Sequence, residues 1–120
     1  MIVVMADDDR DDCEMVAAAC SEIGNGHELV FVADGEELLD YLMHRGRYSD
    51  EASAPRPNLI LLDLNMPKMD GREALRVIKS DPSLRRIPVV VLTTSHAEED
   101  VVQAYDTGAA GYITKPAGHS

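Results

Sequence analysis

Asn58-Leu59-Ile60-Leu61-Leu62-Asp63 is an apolar run that ends in a carboxylate and opens directly into Leu64-Asn65-Met66-Pro67-Lys68-Met69-Asp70-Gly71. A short run with no polar alternation suits a strand buried on both faces, the habit of parallel sheets. Open α/β sheets bind their ligands at the carboxyl ends of such strands, which makes Asp63 the residue around which to build a function. Two other apolar runs end in the same way: Met1-Ile2-Val3-Val4-Met5-Ala6 leads into Asp7, Asp8 and Asp9, and Val89-Val90-Val91-Leu92 leads into Thr93 and Thr94. If these three strands are neighbours, one groove collects a cluster of carboxylates and a hydroxyl.

Between the runs the period of the apolar residues changes. From Asp11 onward Cys13, Val16, Ala17, Cys20 and Ile23 fall at helical spacing and stop at Gly24-Asn25-Gly26. Glu28 to Val32 reads as a second strand, and Asp34-Gly35 turns into a helix that carries Leu38, Leu39, Tyr41 and Leu42 and frays at Gly46. Residues 47–57 read as an irregular surface loop. Arg72 to Lys79 puts Ala74, Leu75 and Ile78 on one face of a third helix, ended by Ser80-Asp81-Pro82. Pro88 precedes the fourth strand, and Ser95-His96-Ala97-Glu98 has the form of a capping box, predicting a fourth helix from Ser95 towards Thr107-Gly108. A last strand, Gly111 to Thr114, delivers Lys115 before Pro116 breaks it.

Five strands alternating with four helices through right-handed crossovers make an α/β fold, a doubly wound five-stranded parallel sheet in the flavodoxin-like order 2-1-3-4-5. That order points Asp7, Asp8, Asp63, Thr93 and Lys115 into one groove. The fifth helix that such a sheet would carry is missing from this chain, so residues 1–120 are expected to be a single domain truncated after strand 5, or to leave a face near strands 1 and 3 partly exposed.

A chain of 120 residues with 45% apolar content supports one core and no second module. Its 22 Asp and Glu against 11 Lys and Arg give a formal charge of -11, the wrong balance for neutralising a nucleic-acid backbone. The first apolar segment is too short for a membrane span or a signal sequence, so a cytoplasmic protein is expected. Cys13 and Cys20 lie about two turns, ~10 Å, apart on one helix and cannot bridge without unwinding it; a shared buried face is the expectation. Asp7, Asp8, Asp9, Asp11 and Asp12 crowd into six positions, read either as a solvated helix start or as a cation site.

Asp7, Asp8 and Asp63 are hard oxygen donors of the kind Mg²⁺ takes, together with waters, a backbone carbonyl and phosphate oxygens. With the repulsion so reduced, Asp63 can attack phosphorus and carry an acyl phosphate. Lys115 adds a mobile positive charge for pairing with Asp63 at rest and with phosphoryl oxygens afterwards. Thr93 offers a hydroxyl to the same group, while Thr94 is small enough to leave the groove open. Tyr112 could turn inward if Thr93 moved, against the blander reading of edge packing. His96 and His119 read as surface residues, and Met66 and Met69 as core filling.

These residues, in chain order, resemble the receiver domain of two-component response regulators over residues 2–118. The family's acidic pair corresponds to Asp7-Asp8, its phospho-acceptor to Asp63 in Asp-x-x-Met-Pro-x-x-Asp-Gly, its hydroxyl to Thr93, its switch aromatic to Tyr112 and its lysine to Lys115 in Lys115-Pro116. The resemblance implies that Asn65 supplies a backbone carbonyl to Mg²⁺. The segment Leu42 to Pro57, the phrase Arg86-Ile87-Pro88-Val89-Val90-Val91-Leu92-Thr93-Thr94-Ser95 and Tyr112-Ile113-Thr114-Lys115-Pro116 are similar to small stand-alone regulators of phytochrome-type kinases. It further implies a cognate sensor histidine kinase as donor, a downstream protein target reached by contact rather than through nucleic acid or membrane, and leaves a homodimer open. Asn65 and Ser95 flank the pocket, so a phosphorylated lifetime of intermediate length is expected.

Two other classes compete. A phosphatase with an aspartyl nucleophile would need a second Asp where Asn65 stands, and a cap that the chain does not have; the protein is therefore expected not to be an enzyme beyond self-phosphorylation from small donors and slow autodephosphorylation. A receiver-like docking module that is never phosphorylated would have no use for the carboxylate cluster.

Overall fold

Apolar runs bounded by turns become adjacent strands when each can hydrogen-bond on both sides and be covered above and below. In the computed structural model, which describes residues 1–24, 26–95 and 97–115, β1 (Ile2–Ala6), β2 (Glu28–Val32), β3 (Leu59–Leu62), β4 (Val89–Thr93) and β5 (Gly111–Thr114) form one parallel sheet in the order 2-1-3-4-5. Val4 pairs with Val30 on one side and Ile60 on the other, Ile60 with Val89, and Val91 with Tyr112. The expected doubly wound order is the one found. Four α-helices alternate with the strands among the described residues: α1 (Arg10–Ile23), α2 (Gly35–Met43), α3 (Gly71–Ser80) and α4 (Glu98–Thr107).

The strand pattern shows which face carries the core. Val4, Ala6, Ile60, Leu62, Val89 and Val91 are fully buried in one cluster with Leu38 and Leu42 of α2, Ala74, Leu75 and Ile78 of α3, and Ala104 of α4. On the other face Val3 and Met5 are buried, Leu59, Leu61, Val90 and Leu92 are half-buried, and Ile113 is exposed. The partly exposed face expected near strands 1 and 3 is covered at β1 and half-covered at β3, and exposure is greatest at β5.

Three helices begin at an aspartate. Asp9, Asp34 and Asp70 accept from the free amides of α1, α2 and α3, and Glu37 reaches back to the Ala33 amide at 2.9 Å. The fourth helix departs from the expected capping box: it starts at Glu98, its N-cap is Ala97, and no side chain caps it. Ser95 donates its hydroxyl to Asp100 Oδ2 at 2.6 Å and accepts at Oγ from the Ala97 amide at 3.4 Å, so it sits one turn ahead of the helix rather than at its cap.

Residues 47–57 are also more ordered than a surface loop. They contain 3-10 turns at Gly46–Tyr48 and Glu51–Ser53, and Ala54 and Pro57 are buried. Tyr41 donates to the Pro55 carbonyl at 2.7 Å, His44 Nε2 bonds the Ala54 carbonyl at 2.8 Å, and Tyr48 donates to Glu37 at 2.5 Å with its ring edge-on to Tyr41. The α2 helix ends not at Gly46 but at Met43, with His44 in the left-handed conformation. The shared buried face of α1 is only partly realised: Cys13 and Cys20 are free and half-buried, and Ile23 is 75% exposed. Met66 fills the core as expected and Met69 packs against it. The readings of His96, Pro116 and His119 lie outside the described residues. Among the described residues no helix is long and apolar enough to cross a membrane.

Candidate functional site

The site is built by the last hydrogen bonds of three strands. Asp7 donates its amide to Val32, Asp63 to Ala6 and Lys115 to Thr93, at 3.0, 3.0 and 2.7 Å, so each backbone still belongs to the sheet ladder while its side chain projects past the same edge. Leu64 and Met66 are buried anchors for the loop after β3. Gly71 closes that loop: its amide bonds the Leu64 carbonyl at 3.0 Å, and a Cβ there would stand 2.0 Å from the Asp63 carbonyl oxygen. The Gly35 amide bonds Met69 at 3.1 Å, which ties the loop to α2 as well.

Lys115 is 4% exposed and sits at the centre of the cluster. Its Nζ donates to Asp7 Oδ2 and Asp12 Oδ2 at 2.6 Å each, and to Asp63 Oδ2 at 3.2 Å. The other oxygens of two of these carboxylates are engaged by backbone amides, Asp7 Oδ1 by Asp9 at 2.9 Å and Asp63 Oδ1 by Asn65 at 3.2 Å. Burial would depress the lysine, but the hydrogen bonds it donates to Asp12 and Asp7 and the charge of Asp63 outweigh it and hold the ammonium above its ordinary range. Asp7 moves the other way from a typical paired carboxylate. Burial raises it, the Lys115 and Asp9 hydrogen bonds only partly offset that, and the neighbouring charge of Asp63 adds to the rise.

Asp8 is exposed at the rim, and ligand oxygens of Asp7, Asp8 and Asp63 all lie within 4.8 Å of one another. Four carboxylates around one ammonium leave an excess of three negative charges when all are ionised. Hard oxygen donors converging with an unbalanced negative charge fit a divalent cation, so the donor set suits the metal that the sequence pointed to. Asn65 is exposed beside this trio, tied to Asp63 through its amide.

Thr93 is fully buried, and its Oγ1 accepts from the Ser95 amide at 3.4 Å. Tyr112 packs against the core and donates its hydroxyl to the Ser95 carbonyl at 2.9 Å, so it is more than edge packing. Thr94 is exposed. Ser95 flanks the groove through its backbone, while its side chain turns away to Asp100.

Asp12 was missed as a site residue. It was counted only within the acid cluster, read either as a solvated helix start or as a cation site, yet it is buried on the first turn of α1 and holds Lys115 as closely as Asp7 does. The sequence signal was there: with the helix beginning at Arg10, position 12 can turn back over the strand ends, whereas Asp11 faces solvent. A cleft of about 440 Å³ opens beside the acids, lined by Asp8, Arg10, Cys13, Phe31 and Glu37 among others. Its thiol, Cys13, is held in the protonated form at neutral pH. Burial first, then the charges of Asp7 and Asp12, push Cys13 up to about 11.

A parallel 2-1-3-4-5 sheet with clustered acids, a threonine and a lysine at its carboxyl edge is the arrangement the sequence led us to expect, and the profile of the response regulator receiver domain matches residues 3–120: the chain belongs to that family. It is thus a response regulator of two-component signalling with a phospho-accepting type of domain. Response regulator Rcp1 of Synechocystis is 45% identical over 114 residues, covering 95% of this chain and 76% of Rcp1. The crystal structure of the Mn²⁺-bound form of Rcp1 superposes with a TM-score of 0.91 at 43% identity, covering 98% of this chain and 83% of that one. The phosphorylated cyanobacterial phytochrome response regulator RcpA gives 0.88 at 47% identity, covering 98% and 81%.

Proposed function

We propose that this protein takes a phosphoryl group from the phosphohistidine of a cognate, phytochrome-type sensor kinase onto Asp63, and passes the signal on by protein contact in the cytoplasm. The observation that carries the reading is the convergence of Asp7, Asp8 and Asp63 with Lys115 in one charged groove. The likeness to phytochrome response regulators supports the choice of kinase. Asp63 is the nucleophile in this reading because it stands at the carboxyl end of β3 and opens Asp-x-x-Met-Pro-x-x-Asp-Gly, with Lys115 in contact at 3.2 Å. An Asp63 oxygen forms the new bond to phosphorus, the bond from phosphorus to the donor imidazole breaks, and the imidazole leaves with the electron pair.

Asp7, Asp8, Asp63 and the Asn65 carbonyl would hold Mg²⁺, which when bound lowers the repulsion between carboxylate and phosphoryl oxygens. Lys115 supplies a fixed positive charge to the transferred group, and Thr93 supplies a hydroxyl once it turns from Ser95. Together they act as switch and anchor, with Tyr112 following the loop after β4. The Ser95 hydroxyl is committed to Asp100 and Asn65 faces solvent, so neither drives rapid hydrolysis and the acyl phosphate has an intermediate lifetime. Val102 and Tyr105 on α4 and Ile113 on β5 are exposed apolar residues suited to a protein target.

The test is incubation with acetyl phosphate and Mg²⁺ followed by intact mass. A single gain of about 80 Da that disappears in Asp63→Asn is expected, the mass of one phosphoryl group. Phosphate released in many turnovers per protein, or no adduct at all, contradicts the reading.

A further inference from the structure

The segment between β4 and α4 is held from three directions. Arg72, in the first turn of α3, grips Asp100, in the first turn of α4, with two prongs: Nε to Oδ1 at 3.3 Å and Nη2 to Oδ2 at 3.0 Å. The Ser95 hydroxyl donates to the same Oδ2 at 2.6 Å. The Ser95 carbonyl accepts from the Tyr112 hydroxyl at 2.9 Å, and the Ser95 amide donates to Thr93 Oγ1 at 3.4 Å. One residue therefore links α3, α4, β5 and the threonine of the site. The hydrogen bonds from Ser95 and Arg72 hold the Asp100 carboxyl below its ordinary range, so it is ionised and a strong acceptor at neutral pH.

The chain of contacts is unequal along its length. Ser95 is held closely by Asp100 and loosely by Thr93, which serves in that contact only as acceptor and keeps its own proton for another partner. A staple that merely packs α3 on α4 would need Arg72 and Asp100 alone. Here Ser95 shares the carboxylate oxygen nearest Arg72, two residues along the chain from Thr93.

We propose that Asp100, oriented by Arg72, is a positioning residue that anchors Ser95 and thereby sets the cost of moving Thr93 towards a phosphoryl group on Asp63. This inference rests on the reading of Asp63 as phospho-acceptor. Freeing the Ser95 hydroxyl removes the shortest of the restraints on the loop while the Tyr112 bond to its carbonyl stays, so Thr93 reaches the phosphoryl group at lower cost and labelling accelerates. Ser95→Ala and Asp100→Ala act through one contact, and their effects do not add.

The experiment measures the initial rate of Asp63 labelling by acetyl phosphate with Mg²⁺, alongside the melting temperature. Ser95→Ala and Asp100→Ala should each label faster by about two- to fivefold, the scale of coupling through a single side-chain contact, and the double variant no faster than either. The exchange Arg72→Asp with Asp100→Arg separates packing from positioning. It restores an ion pair between α3 and α4, and with it the melting temperature; because an arginine at position 100 could donate to the Ser95 hydroxyl oxygen, the exchange is made in the Ser95→Ala protein, where labelling stays fast. Native rates in the single variants, additive effects in the double variant, or a return to the native rate in the exchanged pair would each overturn the inference. Native protein that takes no label at Asp63 overturns the reading of the site and this inference together.

Discussion

Lys115→Met puts the charge balance of the groove to a direct test. The substitution keeps a long apolar stem in a position that is 4% exposed, but removes the ammonium that Asp7, Asp12 and Asp63 share. Removing one partner of a buried ion pair costs about 3–5 kcal/mol, a large part of the roughly 5–15 kcal/mol that holds a domain folded. With a urea slope of about 2 kcal/mol per molar, the unfolding midpoint should fall by roughly 2 M near neutral pH without divalent cation. The pH dependence follows from Asp7, which burial and the charge of Asp63 already raise while Lys115 opposes them. Without Lys115 the rise is larger. A carboxyl whose folded pKa exceeds its unfolded value contributes stability below the unfolded pKa and loses it as pH rises through the folded one. The deficit of the variant should therefore shrink from about pH 7 to about pH 5. A divalent cation at a hundredfold excess over its dissociation constant should restore about 2.7 kcal/mol. A midpoint within about 0.3 M of native at neutral pH, or a deficit equal at both pH values, would refute the reasoning.

Asp12→Asn should draw Lys115 towards Asp63 and slow labelling by about threefold, a barrier change of roughly 0.7 kcal/mol, read as the initial rate of adduct formation; an unchanged or faster rate counts against a role for Asp12. Gly71→Ala would drive a Cβ to 2.0 Å from the Asp63 carbonyl oxygen and 2.8 Å from Leu64 Cα, backbone atoms that cannot yield. Its expected loss is at least about 3 kcal/mol in urea unfolding, and a loss below about 1 kcal/mol contradicts the close approach. Cys13, pushed up to about 11 from an ordinary 9.0, should alkylate about a hundredfold more slowly than an unhindered thiol near pH 8, measured by iodoacetamide labelling and peptide mass; equal rates would sink that assignment.

The strands and their order were legible because burial on both faces leaves unbroken apolar runs, and the residue that follows such a run must stand at the sheet edge. That rule located Asp7, Asp63 and Thr93; Lys115 follows the mixed, partly exposed stretch Gly111-Tyr112-Ile113-Thr114 and was placed by the expected strand order. The rule was silent on Asp12, since five acids within six positions share one composition signal and only the phase of α1 separates the residue that turns inward from the one that faces water. The Ser95 capping box failed for a different reason: the helix starts three residues later than the local pattern suggests, and the Ser95 hydroxyl spans that gap to Asp100, which Arg72, distant in sequence, holds in place. The segment 47–57 looked irregular because its order comes from long-range contacts to Tyr41, His44 and Glu37, which no local period records. The half-covered face of α1 shows the remaining gap: spacing gives the direction of an apolar stripe, and says nothing about how completely another element covers it.

The site and the helices around it are not held with equal firmness. Asp9, Asp34 and Asp70 each cap a helix, and the loop after β3 is fastened to α2 through Gly35 and to α3 through Gly71. A side-chain cap contributes about 1 kcal/mol, and α4 has none. Its first turn carries Glu98, Glu99 and Asp100, which the helix dipole favours, but the only side-chain bonds described for that turn are those of Asp100 to Ser95 and Arg72. A change at Asp63 would thus meet stiff resistance towards α2 and α3 and weaker resistance along Thr93, Ser95 and Asp100. The path of least cost leads to the start of α4, the helix that also presents Val102 and Tyr105 to solvent, where the proposed protein contact would meet it.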